Sequence, residues 1–191
     1  MLTIAVIAVL LAAGCARPLP RDPQAMPAQA GTIPASHPAI ETRETEVYEQ
    51  VLRRYLNTPA ENSFPGTTFT TVYVLDSARP DAAEPIGDTH AGRPIPSDVK
   101  ARITASLAPT AAVTFISDKG SVLDTSSGCA TVRDGGILIT LGTIDGDDDQ
   151  VTVGINGYVA CLGATWLTYI VRNQPETGWN VTGTTGPMAI A

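Results

Sequence analysis

Apolar residues follow four different rhythms along this chain, and each predicts a different kind of structure. Met1 to Leu11 is almost unbroken apolar sequence. It is too short to cross a bilayer as a helix but has the length of the apolar core of a secretion signal. From Ala16 to about Glu41 no period is visible, and Pro18, Pro20, Pro23, Pro27, Pro34 and Pro38 forbid a continuous helix or central strand. Glu44 to Leu56 then carries Val47, Tyr48, Val51, Leu52, Tyr55 and Leu56 as one stripe at helical spacing, with Glu49 and Arg53 paired on the other side. Thr42 is the expected N-cap of this helix, and Asn57-Thr58-Pro59 its stop.

Thr67 to Leu75 is β-branched and aromatic and predicts a strand. A second helix is expected from Ser97 to Leu107, with Val99, Ile103 and Leu107 on one face, followed by a strand from Ala111 to Ile116. Beyond that the period becomes two. Ile137, Ile139 and Leu141 alternate with Leu138, Thr140 and Gly142, and Val151, Val153 and Ile155 with Thr152, Gly154 and Asn156. Thr165 to Val171 and Trp179 to Thr182 continue the series between Gly-, Asn- and Pro-rich turns. The expected class is therefore α+β: two helices packed on one face of a curved antiparallel β-meander.

The chain has 191 residues and a formal charge of −7, none of it before Cys15. An acidic exported part argues against nucleic acid as a partner and against an electrostatic grip on anionic headgroups. After the apolar start the sequence reads Leu11-Ala12-Ala13-Gly14-Cys15. Small residues there let a peptidase fit an extended backbone beside the cysteine. This ending resembles the lipobox of bacterial lipoproteins, although Ala12 stands where leucine is most favoured and no Lys or Arg precedes the apolar run. The resemblance implies cleavage before Cys15, lipidation of Cys15, and attachment to the cell membrane or outer membrane on the extracytoplasmic side. Two or three acyl chains would make the attachment effectively permanent, whereas one alone is marginal.

The expected organisation is residues 1–14 as signal peptide, 15–41 as lipidated cysteine and disordered tether, and 42–191 as a single domain. A flexible coil of the tether's length spans about 30 Å and a fully extended one about 80 Å. Cys129 and Cys161 remain after the anchor, and an even pair in an oxidising compartment is most simply a disulfide. The order helix, strand, helix, strand, meander, ending in Gly178-Trp179-Asn180-Val181, resembles the cystatin-like and NTF2-like cone folds. That resemblance is topological and implies no function, because such folds host enzymes and binders alike.

Candidate chemistry is sparse. Asp145-Gly146-Asp147-Asp148-Asp149 has the opening of a calcium loop, but Gln150 and Asn156 stand where an EF-hand needs glycine and glutamate, so a solvated hairpin turn is expected. His90, beside Asp88 in a long loop from Asp76 to Pro94, is the one histidine after the tether, and no Gly-x-Ser-x-Gly turn accompanies it. Glu46 and Glu49 read as solvated carboxylates. No phosphate loop, dinucleotide fingerprint or zinc-protease motif is present, so no cofactor, metal or catalytic residue is expected. Phe115, Tyr158, Trp166 and Tyr169 form a candidate pocket inside the sheet. The expected function is a non-catalytic module binding a small ligand or an envelope protein. The alternatives are a secreted hydrolase-like enzyme using His90 with Asp88 or the Asp145–Asp149 cluster, and a purely structural protein. Cys15→Ser is expected to move the protein from the membrane fraction to the soluble one on fractionation of cells, and unchanged partitioning would dismiss the anchor.

Overall fold

The computed structural model describes residues 38–86 and 90–191; Cys15, the proline-rich segment through His37, and Asp88 lie outside them. The first helix, α1, runs Pro38–Asn57. It starts earlier than its stripe predicts, because proline is accepted in a first turn, where its missing N–H has no partner to lose. Thr42 is accordingly inside α1 and is not its cap. A short α2, Pro59–Asn62, follows, and its Ser63 takes a left-handed backbone (φ 59°) to end it. Asn62 is buried and donates to the Tyr55 carbonyl at 2.8 Å.

The first strand, β1 (Thr71–Leu75), begins later than expected. Phe69 is withdrawn from the ladder into the core, where it meets Phe64 edge to face at 5.4 Å. A short ladder of β2 (Ser77–Ala78) and β3 (Arg93–Pro94) closes the base of the long loop. Helix α3 spans Ser97–Leu107, and β4 spans Ala112–Ile116. Two-residue strands β5 (Leu123–Asp124) and β6 (Thr131–Val132) pair with each other. The meander is β7 (Ile137–Gly146), β8 (Gln150–Ala160), β9 (Gly163–Gln174) and β10 (Gly178–Ile190).

The main sheet has the order β10-β9-β8-β7-β1-β4. The meander is antiparallel, as expected, whereas β1 lies parallel to both β7 and β4. The chain between β1 and β4 contains α3, and a helical crossover returns a strand in the same direction. Alternation along a strand records which face is buried and carries no information about direction.

Helices α1 and α3 cover one face. Val72 and Val74 of β1, Ile137, Ile139 and Leu141 of β7, Val151, Val153 and Ile155 of β8, and Leu167, Tyr169 and Val171 of β9 all point into the core beneath them. Two tyrosines of α1 reach through this layer: Tyr48 donates to the Gly142 carbonyl at 3.0 Å, and the Tyr55 hydroxyl bonds the Thr165 hydroxyl. Burial pushes the Tyr55 phenol up to about 12. On β9, Tyr169 donates to Glu61 at 2.8 Å, and Glu61 also pairs with Arg54. Burial works to raise the Glu61 carboxyl, but the bonds from Arg54 and Tyr169 outweigh it and hold it below its ordinary value.

Polar ties fix both ends of α1. Glu44, 4% exposed, pairs with Arg93 of β3 at 2.7 Å. The Arg43 guanidinium lies 5.3 Å from the ring centre of Trp179, donates to the Asp147 carbonyl, and faces Asp148 at 3.6 Å. Arg53 pairs with Glu49 at 2.9 Å, as their spacing predicts, and also donates to Ser106 of α3.

Gly157 of β8 lies directly under Tyr55, and a Cβ there would overlap the phenol ring and hydroxyl. Gly157→Ala is expected to displace Tyr55 and lower stability by about 1–3 kcal/mol, the usual cost of overpacking a filled core. Equilibrium urea unfolding checks this, with Tyr55→Phe as the companion that keeps the ring and removes only the hydroxyl.

Candidate functional site

Neither α1 nor α3 covers the second face of the sheet; among the described residues it is met by loops and by a 3-10 turn, Lys119–Val122. The side chains of this face are Leu138 and Thr140 of β7, ahead of the bulge that follows Leu141, and the even-numbered positions of β8 and β9, because alternation sends them opposite to the core set. Register places Thr140 opposite Asn156, and Asn156 opposite Trp166, in one row across the three strands. Leu138 and Tyr158 are paired in the neighbouring row. These five form the floor of a cavity of about 250 Å³. The middle of that floor is polar, with Leu75 and Trp166 at its flanks.

One wall comes from the long loop after β2, through Arg79, Asp81, Ala82, Glu84 and Pro85. Its approach to the sheet depends on a bare position. Ala83 rests on Gly154 of β8, where a Cβ would come within 3.1 Å of the Ala83 Cβ. The Arg79 amide donates to the Leu141 carbonyl at 2.8 Å, tying the loop to β7. Lys119 and Leu123 supply the opposite wall. Their segment is held by a second apolar cluster of Leu75, Val122, Val132 and Leu138, with Tyr73, Ile116, Leu123 and Tyr158 packed against it.

The disulfide Cys129–Cys161 closes this second wall onto the β8–β9 turn. Beside it, Tyr158 donates to the Ala130 carbonyl at 2.6 Å, and the Cys161 amide donates to the Cys129 sulfur at 3.1 Å. The expected pairing of the two cysteines is present, and its place adds what spacing could not: the covalent link ties the segment that follows the wall residues Lys119 and Leu123 to the β8–β9 turn.

The four aromatics of the candidate pocket divide by strand parity. Tyr158 and Trp166 line the cavity. Tyr169, at an odd position of β9, is fully buried in the helix-side core, and Phe115 packs against that same core from β4. The sheet itself separates the two pairs. Sequence reasoning missed Arg79, Asp81, Glu84, Lys119, Thr140 and Asn156. For Thr140 and Asn156 the signal was present, since both occupy the non-core phase of the alternation. For Arg79, Asp81 and Glu84 the only signal was the length of the Asp76–Pro94 loop, and for Lys119 there was none.

His90 has its side chain 67% exposed, and its Nδ1 is 3.3 Å from the Oδ2 of Asp81. Its carboxylate neighbour is thus Asp81, which is buried and faces the cavity, and not the Asp145–Asp149 cluster. That cluster forms the exposed β7–β8 turn, where Asp147 Oδ1 accepts from the amides of Asp149 and Gln150 at 3.0 and 2.9 Å. These amide bonds hold the Asp147 carboxyl below the ordinary range. Glu46 is exposed, and Glu49 is engaged by Arg53. Among the described residues, no group of three or more His, Cys, Asp or Glu is placed to hold a metal ion, and no helix is long and apolar enough to cross a membrane.

No protein-family model matches this sequence, and no characterised protein or solved structure was found to resemble it significantly. The functional reading therefore rests on the site itself.

Replacing both cysteines with serine is expected to lower stability by roughly 3.7 kcal/mol, the chain-entropy value for a loop of this length. Chemical denaturation of the double variant measures the loss. Hydrogen exchange of the 117–135 segment should rise more than that of α1, since only the former is stapled by the bond.

Proposed function

We propose that this chain is a lipid-anchored, non-catalytic binding module of the cell envelope, and that its cavity on the sheet face opposite α1 holds a small ligand. The observation that carries the reading is a concave site with a polar centre and an aromatic flank, built on rigid strands and walled by two segments tied down separately. Ligand sites are concave and mostly apolar, with a few placed polar groups, and this one has that composition. The anchor and the extracytoplasmic location draw on Leu11-Ala12-Ala13-Gly14-Cys15, and a disulfide suits an oxidising compartment. The likeness to cystatin-like and NTF2-like cones draws on the order of elements and on helices gathered on one face. The parallel pairs of β1 depart from an all-antiparallel cone.

A second reading, a hydrolase-like site, draws on Asp81 facing His90 at 3.3 Å. It would replace the first if a bound compound were converted at a rate that His90→Ala abolishes.

The test is a thermal-shift and Trp-fluorescence screen of the purified protein against neutral sugars, amino acids and quaternary amines. A compound at about 100 times its Kd is expected to stabilise by about 2.7 kcal/mol. Thr140→Phe, which fills the polar centre of the floor, should remove the response while leaving the unliganded melting temperature within a few degrees. A response that survives Thr140→Phe would place the ligand elsewhere.

A further inference from the structure

The cavity's lining restricts the chemistry of its occupant. Among the described lining residues, Arg79 and Lys119 are balanced by Asp81 and Glu84, so the formal charge of the site is zero. An anion or a cation of the ligand's own would gain from one pair and lose to the other. At the base, Asn156 donates one amide hydrogen to the Thr165 carbonyl at 3.0 Å. Its amide has two donors and a carbonyl oxygen, so one N–H and the oxygen are left for other partners. The Thr140 hydroxyl, directly opposite across the strand pair, adds a rotatable donor and acceptor. The floor therefore offers adjacent donors and acceptors at its centre, a pattern that complements hydroxyl groups, which donate and accept at once.

Beside this polar pair, Trp166 is half-buried on β9, directly opposite Asn156. Its ring supplies a flat apolar surface of the kind that C–H groups of a saturated ring pack against. The quadrupole of an indole face is negative and attracts such weakly positive hydrogens. A volume of about 250 Å³ has room for one substituted six-membered ring and little more. Glu84, Pro85 and Lys119 at the margin are exposed, so among the described residues the mouth is open to solvent.

We infer that the cavity binds a single neutral sugar ring, with Trp166 against its C–H face, Asn156 and Thr140 on its hydroxyls, and Glu84 accepting from a hydroxyl nearer the mouth. The occupant is a free monosaccharide or the terminal unit of a longer glycan. Only the ring is enclosed, and the open mouth accommodates the remainder. This inference rests on the proposed binding function and narrows it to a ligand class.

Titration calorimetry on the full-length protein tests it, with panels of neutral hexoses and N-acetylhexosamines, of uronic acids, and of zwitterions (glycine betaine and free amino acids). Immobilised oligosaccharides ending in the same sugars separate a terminal unit from a free one. The expected result is saturable binding of one or more neutral sugars and no measurable binding of the charged panels. Trp166→Ala should weaken it at least about tenfold, equivalent to about 1.4 kcal/mol. Thr140→Val keeps the shape of the side chain and should weaken it severalfold without moving the melting temperature, so a folding defect in the tryptophan variant would not decide the matter. Preferential binding of uronic acids or zwitterions at the same floor would overturn the sugar assignment while leaving a binding module. Absence of binding in every panel would overturn both. Neutral-sugar affinity unchanged in Trp166→Ala and Thr140→Val would also overturn the placement proposed here.

Discussion

Burial of α1 across the middle of the sheet is the interaction on which the remaining parts depend. Its apolar stripe lies over β7, β8 and β9, and its tyrosines pass between the strands' own side chains to reach Gly142 and Thr165. Close approach is possible because Gly157 leaves room for a phenol ring. A helix pressed this near fixes the register of the sheet beneath it, since slipping any strand by one residue would exchange its buried and exposed sets. The order of the opposite face follows from the same constraint. Thr140, Asn156 and Trp166 share a row because Leu141, Ile155 and Leu167 are held against α1 on the other side.

The face opposite α1 is organised differently. Loops have no continuous apolar stripe with which to cover a sheet, so each is fastened at a few points. The β2–β3 loop is tied through Arg93 to buried Glu44, and by its backbone to Leu141. The other wall is held by its small apolar cluster and by Cys129–Cys161. Two walls anchored independently leave a gap between them, and the cavity is that gap. Removing a buried partner such as Glu44 would leave Arg93 without its carboxylate, so the loop's position is coupled to the helix on the far side of the sheet.

Much of this architecture was legible before the structure. The α1 stripe, the limits of α3 and the meander follow from periodicity, because each element buries one face and the apolar residues record it. Direction was not legible: nothing in Val72, Val74 or Val113 distinguishes a parallel partner from an antiparallel one. The start of α1 was misplaced because a proline at position 38 resembles linker composition until the helix behind it is seen. The candidate pocket was half legible. Tyr158 and Trp166 differ from Tyr169 and Phe115 only in the parity of their positions relative to the core, and parity was available in the sequence. The walls were not legible, since Arg79, Asp81 and Lys119 sit in segments without period, and only tertiary ties bring them over the strands.

The outer edge of the sheet has a consequence for crowding. β10 breaks register with β9 twice, between Val181 and Gly183 and between Thr185 and Ala189, and Pro187 lies within the second break. The opposite edge, β4, is five residues long. A proline lacks the N–H that a neighbouring chain would need, and irregular or short edges are poor templates for strand addition. Molecules at high local concentration meet edge to edge far more often than they do in dilute solution. Here such encounters find no straight ladder to extend, so the same strand that completes the fold also keeps dense neighbours from growing into a common sheet.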